Sequence, residues 1–404
     1  MKRSLITVLA ALLGVLLTHP VFGQTTQPSS LTSPPIKIGG SLPLTGVFSE
    51  TAKWIKGGYD FWVEDINRRG GLLGRPVKMT VYDDESTAEK AITYYERAIT
   101  VDKADLLLGG YPATTNVALM PLVEKYAKVF IGMGGQIKSF EQGYTYSFAS
   151  PPLIGDWAYI GVAGVLDDLI TKADWPKSIA FLTANNVTGL SVRESVIRTA
   201  EEHGIKAVVD EVYNLPLSDA TPLVSKAKGK GAEILCCLSF FDDGVMIMRT
   251  AKAMNYNPKL IFQLLASTIP AWRKELGEDG NNVLSWAWWD ARLPFAGNPS
   301  INEAAKARFK IPTAPTFFGL GYCWMNTLEL AVQGAHTLDN VNIRDYLRSH
   351  KFDLPYGKGI TFDKRGLPSP FVFINQYAGG RVGLVWPKEV STTKLIYPRP
   401  SWEK

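Results

Sequence analysis

The chain has 404 residues, 46% of them hydrophobic, with 43 Lys and Arg against 38 Asp and Glu and a formal net charge of +5. That small surplus is spread along the chain with no basic stripe, which excludes a nucleic-acid or membrane-surface binder driven by charge. Three cysteines are too few for a disulfide framework, and the length exceeds one ordinary core, so two lobes are expected.

Lys2 and Arg3 precede an apolar run over 5–17 that is too short for a membrane span, and Val21-Phe22-Gly23 offers a cleavage site. Residues 1–23 therefore read as a secretion signal peptide, with Gln24 as the expected mature start. No Cys follows the apolar run, so no lipid anchor is expected, and no later segment carries 18 apolar residues in a row. Residues 24–35 are rich in Ser, Thr, Pro and Gln and read as a disordered linker.

Strands and helices then alternate. The pattern predicts a strand over 36–42, a helix over 51–69 ended by Gly70-Gly71, and a strand over 77–82. A helix follows over 86–101, with Asp83 and Asp84 placed to cap it. Next come a strand over 104–108, a helix over 114–126 containing Pro121, a strand over 129–131 and a further one near 144–148. The pattern restarts with a helix over 155–172 and strands over 178–183, 206–213, 233–238 and 259–265, separated by helices over 192–203, 222–228 and 244–254. Beyond Trp289 come helices over 302–309, 316–334 and 343–350, then Gly- and Pro-punctuated β structure from 357. The expected class is α/β, with two Rossmann-like lobes built on parallel sheets.

No GxSxG, HExxH, Walker or GxGxxG motif is present, and His203, His336 and His350 fall at helix ends, where a cation complements the dipole. No cluster of metal-ligating residues at short spacing appears, so neither a metal nor a cofactor is expected. Cys236 and Cys237 are neighbours in a strand and point to opposite faces, so buried free thiols are expected rather than a disulfide. The informative residues lie at strand ends. Gly109 to Asn116 follows a strand and opens a helix; its Thr114 and Thr115 hydroxyls beside free helix N–H groups form either a carboxylate site or an ordinary cap. Gly132 to Gln136 places bare backbone and one amide at the same sheet edge. Thr51 and Trp54 lie at the first loop–helix junction, Trp54 as a ligand platform or a staple on its helix. Phe240 and Phe241 stand where a second wall would be, or are core aromatics; Trp286, Trp288 and Trp289 line a cleft or pack a crossing.

The segments SLPLTGVFS at 41–49, VEDINRRGGLLGRPVKMTVYDD at 63–84, LLLGGYPATTNVALMPLVEKY at 106–126 and GITFDKRG at 359–366 resemble the type I periplasmic binding proteins. The resemblance is to the leucine–isoleucine–valine branch of ABC-transporter receptors and covers nearly all of the chain after residue 35. It implies two lobes joined by a three-segment hinge, 36–150 with 291–367 and 151–290 with 368–404, with crossings near Ser150, Asp290 and Leu367. By the same resemblance the first lobe holds a ligand carboxylate through Thr51, Ala113, Thr114, Thr115, Gly134 and Gln136, with Trp54 and Tyr111 beside them. Phe240 covers the ligand from the second lobe. The family's acidic residue for an α-ammonium is missing: the region reads Leu264-Leu265-Ala266-Ser267-Thr268, leaving Gln263, Asp242 and Asp243 as the nearby substitutes. An unpaired ammonium would be costly there, which shifts the expectation toward an aromatic acid, a short aliphatic acid or an amide at Leu265.

The resemblance therefore implies a periplasmic, monomeric receptor that captures a small-molecule ligand and delivers it to the membrane permease of an ABC importer, with no bond made or broken. A ligand sensor for a separate membrane receptor and a secreted enzyme on a similar fold are the alternatives.

Overall fold

The structure, a computed structural model, describes residues 33–134, 137–150, 156–369 and 371–402. The segments expected as signal peptide and, for the most part, as linker lie outside the described residues, as does Gln136.

Strand β1 (Ile36–Leu42) is buried at every position except Lys37, as a strand covered on both faces must be. It is the centre of a parallel sheet β2-β1-β3, with β2 (Val77–Asp83) on one side and β3 (Leu106–Leu107) on the other. Helices α1 (Ser49–Arg68), α2 (Ala88–Thr100) and α3 (Ala113–Lys125) follow these strands in turn. The parallel pair β4 (Phe130–Gly132) and β5 (Ser147–Ala149), with the short α4 (Ile137–Phe140) between them, lies beside the extension of β3. There the backbones nearly touch: a Cβ on Gly109 would stand 2.2 Å from the Ile131 carbonyl oxygen.

The second half repeats the logic on a larger sheet. Helix α5 (Asp156–Gly164), prolonged by a wider π turn over Val165–Leu169, leads to β6 (Ser178–Ala184), α6 (Val187–Glu202) and β7 (Lys206–Tyr213). Then come α7 (Thr221–Gly229), β8 (Ile234–Leu238), α8 (Phe241–Ala253), β9 (Leu260–Gln263), α9 (Ala271–Leu276) and β10 (Val283–Ala287). β7, β6, β8, β9 and β10 run parallel in that order.

The chain then returns to the first sheet with α10 (Asn298–Phe309), α11 (Thr316–Ala335), α12 (Asn340–Ser349) and the hairpin of β11 (Phe352–Leu354) and β12 (Gly357–Ile360). Helices α1 and α11 cross at van der Waals distance: a Cβ on Gly58 would stand 2.1 Å from the Phe318 carbonyl oxygen, and one on Gly321 2.3 Å from that of Ile55. Below the crossing, buried Glu329 accepts from the Trp62 indole at 2.8 Å and from Arg69 at 2.8 and 3.0 Å, and Arg69 also reaches Asp65. The Val129 N–H donates to the Asn340 side chain at 2.9 Å, which ties α12 to the start of β4. Finally β13 (Phe373–Ala378) and β14 (Arg381–Trp386) add to the second sheet as antiparallel strands, β13 against β10.

Three differences from the expected elements have physical reasons. β10 reads in sequence as part of a Trp-rich crossing, because a strand buried at all five positions shows no alternation. α6 starts earlier than its apolar period suggests, because the Asn186 side chain caps it by accepting from the Gly189 N–H at 2.9 Å. Asp83 and Asp84 do not cap α2: its N-terminal flanking residue is Thr87, with no side-chain cap, and both carboxylates are used elsewhere. The cysteines are buried free thiols, each pushed up by burial.

Candidate ligand-binding site

Parallel strands bring their carboxyl ends, and the loops that follow them, to one edge of each sheet, where such sheets bind ligands. In this molecule loops from the two edges touch. The Phe48 ring, just after β1, meets the Phe240 ring, just after β8, edge-on at a centroid distance of 5.0 Å.

The loop carrying Phe48 is held by the turn after β2. Asp83 accepts from the Thr45 backbone N–H at 3.1 Å and from its hydroxyl at 2.8 Å. The Ser86 hydroxyl donates to the Thr45 carbonyl at 2.8 Å and accepts from the Phe48 N–H at 3.2 Å. Asp84 accepts from the Ser41 hydroxyl at 2.7 Å and the Ser86 N–H at 3.2 Å. The acidic pair that reads as a helix cap is thus the anchor of the first loop. Desolvation raises the Asp84 carboxyl to about 6, against the Ser41 and Ser86 bonds that lower it.

The second element of this wall is the start of α3. Its flanking residue is Pro112, and no side chain caps its first turn. Among the described residues no side chain caps that end, and N–H groups at a helix start suit an anion. Asn116 fixes the surrounding loops, donating to the Gly110 carbonyl at 2.8 Å and the Met133 carbonyl at 2.9 Å, which bridges the ends of β3 and β4.

Aromatic rings run from one sheet edge to the other. From Phe240 and Phe48 the chain of contacts passes to Tyr111 (6.1 Å from Phe48), Phe317 of α11 (5.7 Å), Trp288 after β10 (6.5 Å) and Trp157 of α5 (4.8 Å). Trp157 also meets Trp286 at 5.7 Å, and Trp286 meets Phe262 at 5.3 Å. The arc begins and ends on the second sheet and crosses the first. Among the described residues the buried Tyr111 hydroxyl and the buried indole N–H groups of Trp157, Trp286 and Trp288 find no hydrogen-bond partner. Burial raises the Tyr111 phenol far above its ordinary value, and the nearby Thr51 hydroxyl offsets this only in part.

The structure brings together Thr51, Tyr111, Ala113 and Thr115, all buried, at the first edge, with Gly134 buried at the end of β4. Thr114 is exposed, one position before Thr115 on α3. Trp54 is placed elsewhere: it packs on Phe309 of α10 at 4.7 Å with Lys53 over its ring, at the contact between α1 and α10. On the second edge Phe240 and Leu265 are buried, and the Leu265 carbonyl accepts from the Thr268 hydroxyl at 2.7 Å. Residue reasoning missed Phe48, Phe317 and Trp157. Phe48 had a signal, an aromatic side chain inside an otherwise polar loop at a strand–helix junction; Phe317 and Trp157 lie in apolar helical runs that read as core. At the rim, partial desolvation raises the exposed Asp242 carboxyl, and repulsion from Glu50 of α1 and from Glu275 adds to it. Among the described residues no group of three or more His, Cys, Asp and Glu is placed to hold a metal ion, and no helix is long and apolar enough to cross a membrane.

Residues 35–381 match the family model described as periplasmic binding protein. A curated relative from Pseudomonas aeruginosa, the leucine-, isoleucine-, valine-, threonine-, and alanine-binding protein, is 23% identical over 345 residues, 83% of this chain and 88% of the relative. Among solved structures, a leucine binding protein from Thermotoga maritima superposes with a TM-score of 0.77 at 18% identity, covering 86% of this chain and 97% of that one. A solute binding protein of an ABC transporter from R. palustris, in complex with benzoate, superposes with a TM-score of 0.76 at 17% identity, covering 90% of this chain and all of the other.

Proposed function

This chain belongs to the periplasmic binding protein family, and from that premise we propose that it is the exported receptor of an ABC importer. In this reading it captures a small organic carboxylate between two lobes and presents it to a membrane permease. The lobes are 36–150 with 291–367 and 151–290 with 368–404, and the three crossings act as the hinge. The observation that carries the reading is the contact between the two sheet edges, Phe48 against Phe240, beside a helix start left without a side-chain cap.

The ligand carboxylate lies at the N-terminus of α3, against the backbone of Ala113 and Thr114 and the Thr115 hydroxyl, with Thr51, Tyr111 and Gly134 around it. Partial positive charge at a helix start favours an anion, and the hydroxyl supplies a directed donor. Phe240 and Leu265 close the other side. The ligand binds both walls, so it favours the closed arrangement by the contacts that only this arrangement completes. The site supplies donors and rings rather than a nucleophile and its base, which supports capture without chemistry. Relatives named for amino acids and a neighbour holding benzoate are consistent with this class of solute.

The test is binding. Titration calorimetry of the purified protein with a broad panel of amino acids, aromatic and aliphatic acids and amides is expected to find at least one tight ligand that is recovered unchanged. Thr115→Val is expected to weaken that ligand roughly tenfold, the effect of a lost hydrogen bond to a charged group, with the fold intact. Absence of any binding, or catalytic consumption of a panel member, would defeat the proposal.

A further inference from the structure

We propose that a small cavity among α3, β4 and β5 is the binding site of one structural water, held between the Asn116 amide oxygen and the Ser147 hydroxyl. This water is a built part of the wall that carries Tyr111, Ala113 and Gly134, and the site stands whether or not the cleft takes a solute.

The amide of Asn116 has only one workable orientation. Its nitrogen donates to the Gly110 carbonyl at 2.8 Å and to the Met133 carbonyl at 2.9 Å. Both partners are acceptors, so the nitrogen and not the oxygen must face them. The oxygen then needs a donor of its own, and among the described residues it finds none, although Asn116 is only 3% exposed. The chain beside it is bare backbone: a Cβ on Gly110 would stand 2.3 Å from that oxygen. Ser147, which opens β5 and is 1% exposed, has a hydroxyl in the same condition. Buried polar atoms are almost always hydrogen-bonded, so each of the two calls for a partner.

Asn116 and Ser147 line the same cavity, which leaves about 10 Å³ to the centre of a water-sized sphere, the room of a single molecule. A water has two protons to give and can also accept. It therefore donates to the Asn116 oxygen and either donates to the Ser147 hydroxyl or accepts from it. An apolar occupant would leave both oxygens unpaired. A hard cation would need about six oxygen ligands, whereas the rest of the lining is apolar, with Met120, Phe130, Phe140 and Phe148 in it. Asn116 already bridges the ends of β3 and β4, and the water extends that bridge to β5.

The test varies Ser147, because the Asn116 amide also carries two loops. A buried hydroxyl without a partner costs stability, so its removal would raise the unfolding midpoint. A hydroxyl bonded to water contributes, so Ser147→Ala is expected to lower the thermal midpoint by a few degrees; an unchanged or raised midpoint overturns the proposal. The direct measurement is a high-resolution crystal structure of the parent protein, which decides alone if the variant fails to fold. We expect a water peak at about 2.7–3.2 Å from both the Asn116 oxygen and the Ser147 hydroxyl. A direct bond between the two side chains, a cavity without density, or a solute atom in that place overturns the assignment.

Discussion

Two adjacent aspartates at the end of β2 are pushed in opposite directions by their surroundings. At Asp83 desolvation raises the carboxyl, but the bonds from Glu85 and Thr45 outweigh it and hold it below the usual range. At Asp84, 1% exposed, desolvation wins over the Ser41 and Ser86 bonds and the carboxyl rises to about 6. An aspartate in an unfolded chain titrates near 3.9, so the folded state holds this proton more tightly than the unfolded one does. Folding is therefore penalised by Asp84 in full above about pH 6, and the penalty fades as pH falls toward about 4. Asp84→Asn is expected to gain stability relative to the parent at pH 7, by at most about 3 kcal/mol, and to lose that advantage near pH 4.5. Urea unfolding of both proteins across this range checks it, and a difference that does not change with pH would refute the assignment.

At the scale of elements, the crossing of α1 and α11 is set by glycines rather than by large side chains. With the Gly58 Cβ position only 2.1 Å from a backbone oxygen, Gly58→Ala cannot be absorbed by rotating a side chain, and the helices must separate. The expected loss is about 1–3 kcal/mol or more, read as a lowered midpoint in thermal or urea unfolding, and an unchanged midpoint would show that the crossing is loose. Such closeness is not visible in an amphipathic pattern, which reports a helix and its buried stripe but not its partner 260 residues away. The sequence reads most surely where periodicity is local: β1, α1, β2 and the repeat from β6 to β9 follow from apolar alternation, runs and Gly or Asn boundaries. β10 was hidden because VLSWA is apolar on both faces. In the candidate site, Tyr111, Thr115 and Phe240 stand out in the sequence because they adjoin strand ends in chain order. Phe317 and Trp157, which join the same arc of rings, do not, since they lie in helices whose residues otherwise read as core. Trp54 shows the limit of junction reasoning: position in the chain places it at the first loop, while helix geometry turns it to Phe309.

For the whole molecule, the contact between Phe48 and Phe240 is the place where rings from the loops after β1 and β8 meet directly. Removing one ring deletes a contact made only when the edges meet. Phe48→Ala is expected to weaken ligand binding by about tenfold and to enlarge the radius of gyration of the ligand-bound protein in small-angle scattering; equal radii for parent and variant would show that these rings do not hold the edges together. The placement of β13 has a consequence of another kind. The strand next to β10 comes from residues 373–378, and the helices that cover the first sheet come from 298–349, so neither half is complete until nearly all of the chain has been made. An N-terminal fragment that stops before Phe373 leaves the β10 edge bare. Loop closure over such distances is slow. The chain thus carries its own delay, written into the order in which its strands are laid down.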